Sequence, residues 1–172
     1  FSTENWDRSK EEVDYLMNLL LWVAKNETKA LHKENVRLRF LGSRDRLSPE
    51  IIHALDSAEE KTKNNTRATL ALCLNYGGRQ EITDAIKHIV NDKIPSGDVT
   101  TGTVEKYLYE PDIPAIDFAI RTSGEQRISD FMLWRIAYAE LYFAKPAWPG
   151  FTPDDLKVAL QDFAKRQRRF GT

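Results

Sequence analysis

The chain has 172 residues, enough for one domain with a sizeable core. Its 41% hydrophobic and 30% charged content is that of a globular protein, and a net charge of -1 excludes bulk electrostatic attraction to nucleic acid or to an anionic membrane. The lone Cys73 has no partner at disulfide or metal spacing, so a reducing compartment is expected. The longest apolar stretch, Leu16 to Ala24, is interrupted by Asn18 and falls far short of the ~20 residues that cross a bilayer. No signal peptide is visible, which points to the cytoplasm.

In chain order, Phe1-Ser2-Thr3-Glu4-Asn5-Trp6 lacks an initiator Met and reads like the middle of a loop. A helix opens at Ser9, where Ser9 and Glu12 have the spacing of a capping box, and runs through Val13, Leu16, Met17, Leu20 and Ala24. Leu19, Leu21, Trp22 and Val23 make its middle apolar almost all round. Such a helix needs a second apolar neighbour, and two readings are open: deep burial, or one face lining a greasy cavity or a subunit interface. Val36, Leu38 and Phe40 alternate with Arg37 and Arg39, which predicts a half-exposed strand. Ser48-Pro49 starts a helix with Ser as cap and Pro in first position. The apolar run Thr69 to Leu74 predicts a strand covered on both faces. Ile82, Ala85, Ile86, Ile89 and Val90 then follow at helical spacing. Ile116 to Ile120 is a second mostly apolar strand after the proline-punctuated Pro111 to Pro114. Thr152-Pro153-Asp154-Asp155 opens a last helix with Leu156, Ala159, Leu160, Phe163 and Ala164 on one face. This alternation predicts an α/β fold, a single domain over residues 1–172 with a central, mostly parallel sheet flanked by helices.

Ligands of open parallel sheets bind beyond the C-terminal ends of the strands. Both covered strands end in similar sequences, Asn75-Tyr76-Gly77-Gly78-Arg79 and Arg121-Thr122-Ser123-Gly124-Glu125. Glycine lets the backbone approach a ligand, free N–H groups at a following helix start bind anions, and arginine offers paired donors to phosphate oxygens. With Arg127 and Ser129 close downstream, a phosphate-rich ligand is expected; the competing reading pairs Arg79 or Arg121 with a structural carboxylate. His32, His53 and His88 fall on helices without ligand partners and read as surface residues. Asp154-Asp155 reads as helix-start charge rather than an aspartate-rich metal motif. The basic run Lys165-Arg166-Gln167-Arg168-Arg169 lacks the interleaved aromatics of a nucleic-acid surface, so no nucleic-acid partner is expected.

Three segments resemble signatures of the undecaprenyl diphosphate synthase family of cis-prenyltransferases. They are Phe1 through Arg8, Asn75-Tyr76-Gly77-Gly78-Arg79, and Ile120 through Phe143; Trp148-Pro149 and Arg169-Phe170-Gly171 also match. The resemblance implies an enzyme that condenses isopentenyl diphosphate with an allylic diphosphate (farnesyl diphosphate for a long-chain enzyme) and works as a homodimer with Mg2+. Arg121, Arg127, Ile128 and Ser129 would bind isopentenyl diphosphate, and Glu140 would contribute to the metal site. Ser2, Thr3, Glu4, Trp6 and Arg8 would lie on a mobile loop over the substrates. Asn5 matches the proton-acceptor position; a neutral amide is a poor base and suits a positioning group better. Arg169 and Gly171 would reach toward the partner subunit's diphosphate. The apolar helix from Leu16 to Ala24 would wall the tunnel for the growing chain, and Ala68 stands where relatives often carry a bulkier tunnel-floor residue.

The implied product is a long-chain Z-polyprenyl diphosphate, a lipid carrier precursor for cell-wall glycans, delivered to the inner face of the membrane without a transmembrane segment. The alternatives are a short-chain Z-prenyl diphosphate synthase and a non-catalytic partner subunit. The family places an Asp-Gly-x-Gly-Arg segment, with a metal-binding aspartate, before the position of Phe1. The purified 172-residue chain is therefore expected to lack magnesium-dependent prenyl transfer until that segment is restored; product formation at normal rates in an activity assay overturns this.

Overall fold

The computed structural model describes residues 1–167. The chain divides into two compact units, Phe1–Asp112 and the residues from Ile113 on.

The first unit contains α1 (Lys10–Lys33), β1 (Val36–Leu41), α2 (Pro49–Thr62), β2 (Ala68–Cys73), α3 (Gly78–Asn91) and α4 (Thr101–Tyr107). Helix α1 extends nine residues beyond the apolar run that announces it. Ser9 caps it by accepting from the Glu12 amide at 3.3 Å, but the reciprocal half of the capping box is replaced: the Glu12 carboxylate pairs with Arg8. Ser48 and Pro49 begin α2 as expected, the Ser48 hydroxyl accepting from the Ile51 amide at 3.3 Å.

Strands β1 and β2 pair in parallel, Val36 opposite Ala68 and Leu41 opposite Cys73. The core joins Ala24 of α1, Leu38 and Phe40 of β1, Leu47, and Ile51, Ala54, Leu55 and Ala58 of α2. On the edge of β1 away from β2, helix side chains close the backbone. The Leu38 amide donates to the Thr62 hydroxyl at 3.0 Å and the Phe40 amide to the Glu59 carboxylate at 2.8 Å. The second strand differs from expectation. Ala68, Thr69 and Leu70 are exposed and residues 71–73 half-buried, so the described residues do not cover both faces of β2.

The second unit contains β3 (Phe118–Arg121), β4 (Glu140–Phe143) and α5 (Pro153–Lys165). The strands pair in parallel with Phe118 opposite Glu140 and Arg121 opposite Phe143. β3 starts two residues later than the apolar run predicts, and β4 lies within a stretch read only as a motif. α5 begins at the expected cap, with Thr152 and Asp155 bonding each other's backbone. These bonds hold the Asp155 carboxyl below its ordinary value, consistent with helix-start charge. Its face is less covered than its pattern suggests: Ala159 is buried, while Leu156 and Leu160 are exposed. His32, His53 and His88 are exposed on α1, α2 and α3, as expected.

Gly42 follows β1 with φ of +135°, and a Cβ there would stand 1.8 Å from the Leu74 carbonyl oxygen. The close approach joins the ends of both strands, since the Leu74 amide donates to Leu41 O at 2.8 Å and the Ser43 amide to Asn75 O at 3.2 Å. Gly42→Ala is expected to destabilise the fold by roughly 3 kcal/mol or more through backbone strain and displacement, read as a lowered midpoint in urea unfolding.

Candidate active site

In the first unit the segment before α1 folds back onto the end of β2. Residues Thr3–Asp7 form a short 3-10 helix. The Thr3 amide donates to Tyr76 O at 3.1 Å and the Tyr76 amide to Phe1 O at 3.2 Å. Asn5 turns its side-chain oxygen inward, where it accepts from the Ser2 amide at 2.7 Å and the Ser2 hydroxyl at 3.2 Å. Its acceptor is thus engaged, and the amide N–H groups are what it can offer a ligand. The Trp6 indole N–H donates to the Asn75 side chain at 2.6 Å, Arg46 lies 4.4 Å over its ring, and Phe1 meets it edge-on at 5.0 Å. Arg8 pairs with Glu12 and is exposed, as is Glu4.

Asn5 and Arg8 stand at a cavity of 410 Å³ whose other walls are Leu16, Leu19, Leu20 and Val23 of α1, with Met17, Leu74 and Phe1. This volume lies within the range of small-ligand sites. The all-round apolar helix therefore serves two surfaces. Met17, Leu20, Leu21 and Ala24 pack on the core, while Leu16, Leu19, Leu20 and Val23 line the cavity. Of the two readings left open by its pattern, the cavity-lining one applies; deep burial does not, since Ala24 alone of the apolar stretch is buried and Leu19 and Trp22 are exposed.

The turn after β2 leads straight into α3 at Gly78, and Gly77 as N-cap supplies no side chain to its first amides. Below it lies a buried polar network. The Tyr76 hydroxyl donates to Glu81 at 2.5 Å, the Tyr109 amide donates to the other Glu81 oxygen at 3.1 Å, and the Tyr109 hydroxyl donates to Asp84 at 2.6 Å. Burial and the Asp84 carboxylate push the Tyr109 hydroxyl well above the ordinary tyrosine value. Burial raises the Asp84 carboxyl, but hydrogen bonds from Tyr109, Lys87 and Gln80 outweigh it and hold Asp84 below its ordinary 3.8. A carboxyl depressed on folding stabilises the protein above its unfolded value, and that stability is lost as pH falls through the folded one. Asp84→Asn is accordingly expected to flatten the acid limb of stability against pH below about pH 4, measured by urea unfolding across that range.

In the second unit β3 ends at Arg121, and no helix follows. The Ser123 amide donates to Pro146 O at 2.7 Å and the Gly124 amide to Ala144 O at 2.9 Å. The Ser123 and Gly124 amides are therefore not free, contrary to expectation: the backbone folds onto the end of β4. Ser123, Ser129 and Asp130 take left-handed backbone angles, φ of 73°, 46° and 60°, conformations that cluster at functional sites. Arg121, Arg127 and Ile128 line one cavity of 220 Å³ with Phe118, Ile120, Phe131, Ile136, Leu141 and Phe143. Arg127 pairs with Glu125. Arg121 is half-buried and forms no ion pair among the described residues, so the structural-carboxylate reading fails for it. Ser129 is exposed on the same turn but does not line this cavity.

Glu140 is not beside Arg121. It opens β4 opposite Phe118, three residues from the Arg121 end, or roughly 10 Å along the strand. Its carboxylate accepts from Arg166 at 2.8 Å, and Arg166 also holds Asp162 at 2.6 Å. Hydrogen bonds to Glu140 and then Asp162 keep the Arg166 guanidinium protonated more firmly than usual. Among the described residues no three His, Cys, Asp or Glu side chains cluster as a metal cage. Magnesium is commonly held by one or two carboxylates together with substrate phosphates, so Glu140 fits as a single ligand in a phosphate-rich shell once it leaves Arg166. Arg169 and Gly171 lie outside the described residues.

The family model described as "Putative undecaprenyl diphosphate synthase" matches residues 1–171. The chain belongs to this family, the cis-prenyltransferases. It is 47% identical to the isoprenyl transferase of Thermotoga maritima, across 99% of this chain and 74% of the relative. Among solved structures it is similar to the lavandulyl diphosphate synthase of Lavandula x intermedia in complex with dimethylallyl diphosphate, at TM-score 0.94 and 30% identity, covering 100% of this chain and 76% of that one. It is also similar to a probable undecaprenyl diphosphate synthase of Campylobacter jejuni, at TM-score 0.89 and 33% identity, covering 100% and 80%. This cis-prenyltransferase is thus an enzyme of prenyl transfer with the expected α/β, parallel-strand fold. Among its described residues no helix is long and apolar enough to cross a membrane.

Sequence reasoning named Asn75 only as part of a turn, without its contact to Trp6, and did not single out Gly42, which joins the strand ends. An asparagine ending an apolar strand and a glycine ending another were the signals available, since both residue types mark left-handed backbone.

Proposed function

We propose that the enzyme condenses isopentenyl diphosphate with an allylic diphosphate, farnesyl diphosphate for a long-chain product, to give a long-chain Z-polyprenyl diphosphate. The observation that carries this reading is the 220 Å³ cavity with Arg121 and Arg127 set against an apolar wall. A diphosphate attached to a short hydrocarbon has that division of chemistry. Both units, residues 1–172, serve one catalytic domain.

In this reading Arg121, Arg127 and Ser129 hold the diphosphate of isopentenyl diphosphate, and Ile128 meets its carbon skeleton. Ser2, Thr3, Glu4, Trp6 and Arg8 cover the substrates. Departure of the allylic diphosphate places negative charge on oxygen and positive charge on carbon, while Arg121 and Arg127 keep the diphosphate retained on the attacking isopentenyl unit in place without reorganisation. The isopentenyl double bond attacks the allylic carbon, and loss of a proton leaves a cis double bond. Asn5, its oxygen engaged by Ser2, donates through its amide and orients the group near the departing proton. Glu140, released from Arg166, would hold Mg2+ as its protein ligand, and the ion would supply charge neutralisation of diphosphate. The lengthening chain occupies the apolar cavity along α1. The enzyme works as a homodimer, and Arg169 and Gly171 serve as substrate-binding residues. The product, a lipid carrier precursor for cell-wall glycans, passes from the cytoplasm to the inner face of the membrane.

A second reading, a short-chain Z-prenyl diphosphate synthase, is favoured by the likeness to the lavandulyl diphosphate synthase with bound dimethylallyl diphosphate. Chromatography of radiolabelled products separates the two by chain length. A non-catalytic partner subunit would have little use for an Arg121 that forms no ion pair among the described residues and lines an apolar cavity.

Arg121→Ala is expected to lower kcat/KM for isopentenyl diphosphate roughly tenfold to a hundredfold, the scale of lost hydrogen bonds to a charged group. Steady-state kinetics of the active enzyme checks it; an unchanged value removes the basis of the reading. Glu140→Gln is expected to raise severalfold the magnesium concentration giving half-maximal rate, measured by metal titration at saturating substrates.

A further inference from the structure

We propose that Asn75 is the positioning residue of the segment that covers the substrates: its buried carboxamide holds the Trp6 indole and thereby sets where Asn5 and Arg8 stand at the apolar cavity. The inference rests on the reading that this segment meets substrate.

Asn75 lies immediately beyond β2, is 4% exposed and has φ of 47°. Its Nδ2 donates to Ser43 O at 3.1 Å and to Asp45 O at 2.8 Å. Two carbonyls on one side of the amide require the NH2 group there, which turns Oδ1 toward Trp6. The indole N–H answers at 2.6 Å. The amide orientation is thus set by the loop after β1, and the acceptor it presents is matched to a donor-only ring. Asn5 and Trp6 belong to the same 3-10 turn, Thr3–Asp7, with Arg8 next in the chain. Fixing the indole fixes its neighbours. An aspartate of equal size lacks both donors and would face two carbonyl oxygens; a serine or alanine does not reach.

The test is a double-mutant cycle in the active full-length enzyme with Asn75→Gly and Trp6→Phe. Glycine accepts the left-handed backbone without strain, and phenylalanine removes the N–H while keeping an aromatic ring. Asn75→Gly is expected to lower kcat roughly tenfold while KM for isopentenyl diphosphate, governed by Arg121 and Arg127, changes less than about twofold. The double variant is expected to be no slower than the slower single one, the mark of a shared interaction. Trp6 emission, obtained as the difference between spectra with and without Trp6, is expected to move to longer wavelength when Asn75 is removed. Multiplying penalties together with an unmoved Trp6 spectrum overturn the proposal. If Trp6→Phe alone leaves the kinetics unchanged, the substrate-covering reading fails, and the emission comparison still decides whether Asn75 holds Trp6. Should Asn75→Gly not fold, Asn75→Ser, too short to reach the indole, takes its place in the cycle with the same criteria.

Discussion

Unit 1 depends on two helices packing against a single strand. Leu55 and Ala58 of α2 press onto Leu38 and Phe40 of β1, and Ala24 of α1 closes the cluster. Burial of this apolar surface is what makes a two-stranded parallel ladder stable, since such a pair has few backbone hydrogen bonds of its own. The same packing positions the chemistry. Trp6 lies against the cluster and Leu74 beside it, so the segment carrying Asn5 and Arg8 rests on the core rather than hanging from it. Helix α1 serves both purposes because adjacent stripes of its surface face the core and the cavity.

Unit 2 divides its labour differently. Its backbone donors at the end of β3 are consumed by the chain itself, through Ser123 and Gly124. The charged donors at this strand end are the guanidinium groups of Arg121 and Arg127, which carry full charge at any physiological pH and present paired donors. Phe118 stacks on Phe163 of α5 at 4.7 Å and tilts against Tyr142 of β4 at 6.2 Å, so the strand that ends in Arg121 is braced from two elements. Glu140 is tied to Arg166 at the opposite strand end, which separates the anion donors from the candidate metal ligand by about the length of the strand.

Much of this was legible in the residues. Ser48-Pro49 and Thr152-Pro153 mark helix starts because a hydroxyl cap and a fixed proline φ act locally. Val36 to Phe40 reads as a strand because alternation reports which side faces the core. That Arg121 stands at the end of an apolar strand was readable, because the run ending at Ile120 and the arginine after it are adjacent in sequence. What escaped depends on contacts distant in sequence. Exposure of Ala68 to Leu70 depends on which segments lie against β2, which an apolar run does not encode. β4 is short and sits in a motif-rich stretch, so periodicity cannot reveal it. The capping box at Ser9 was half right, because Arg8 offers Glu12 a full charge in place of a backbone amide. The role of Asn75 needs three segments brought together, and no local pattern records that.

The closure of β1 by Thr62 and Glu59 also limits how this ladder can associate. With the Leu38 and Phe40 amides already bonded to helix side chains, an extended peptide cannot add a strand to this flank without first displacing the Thr62 hydroxyl and the Glu59 carboxylate.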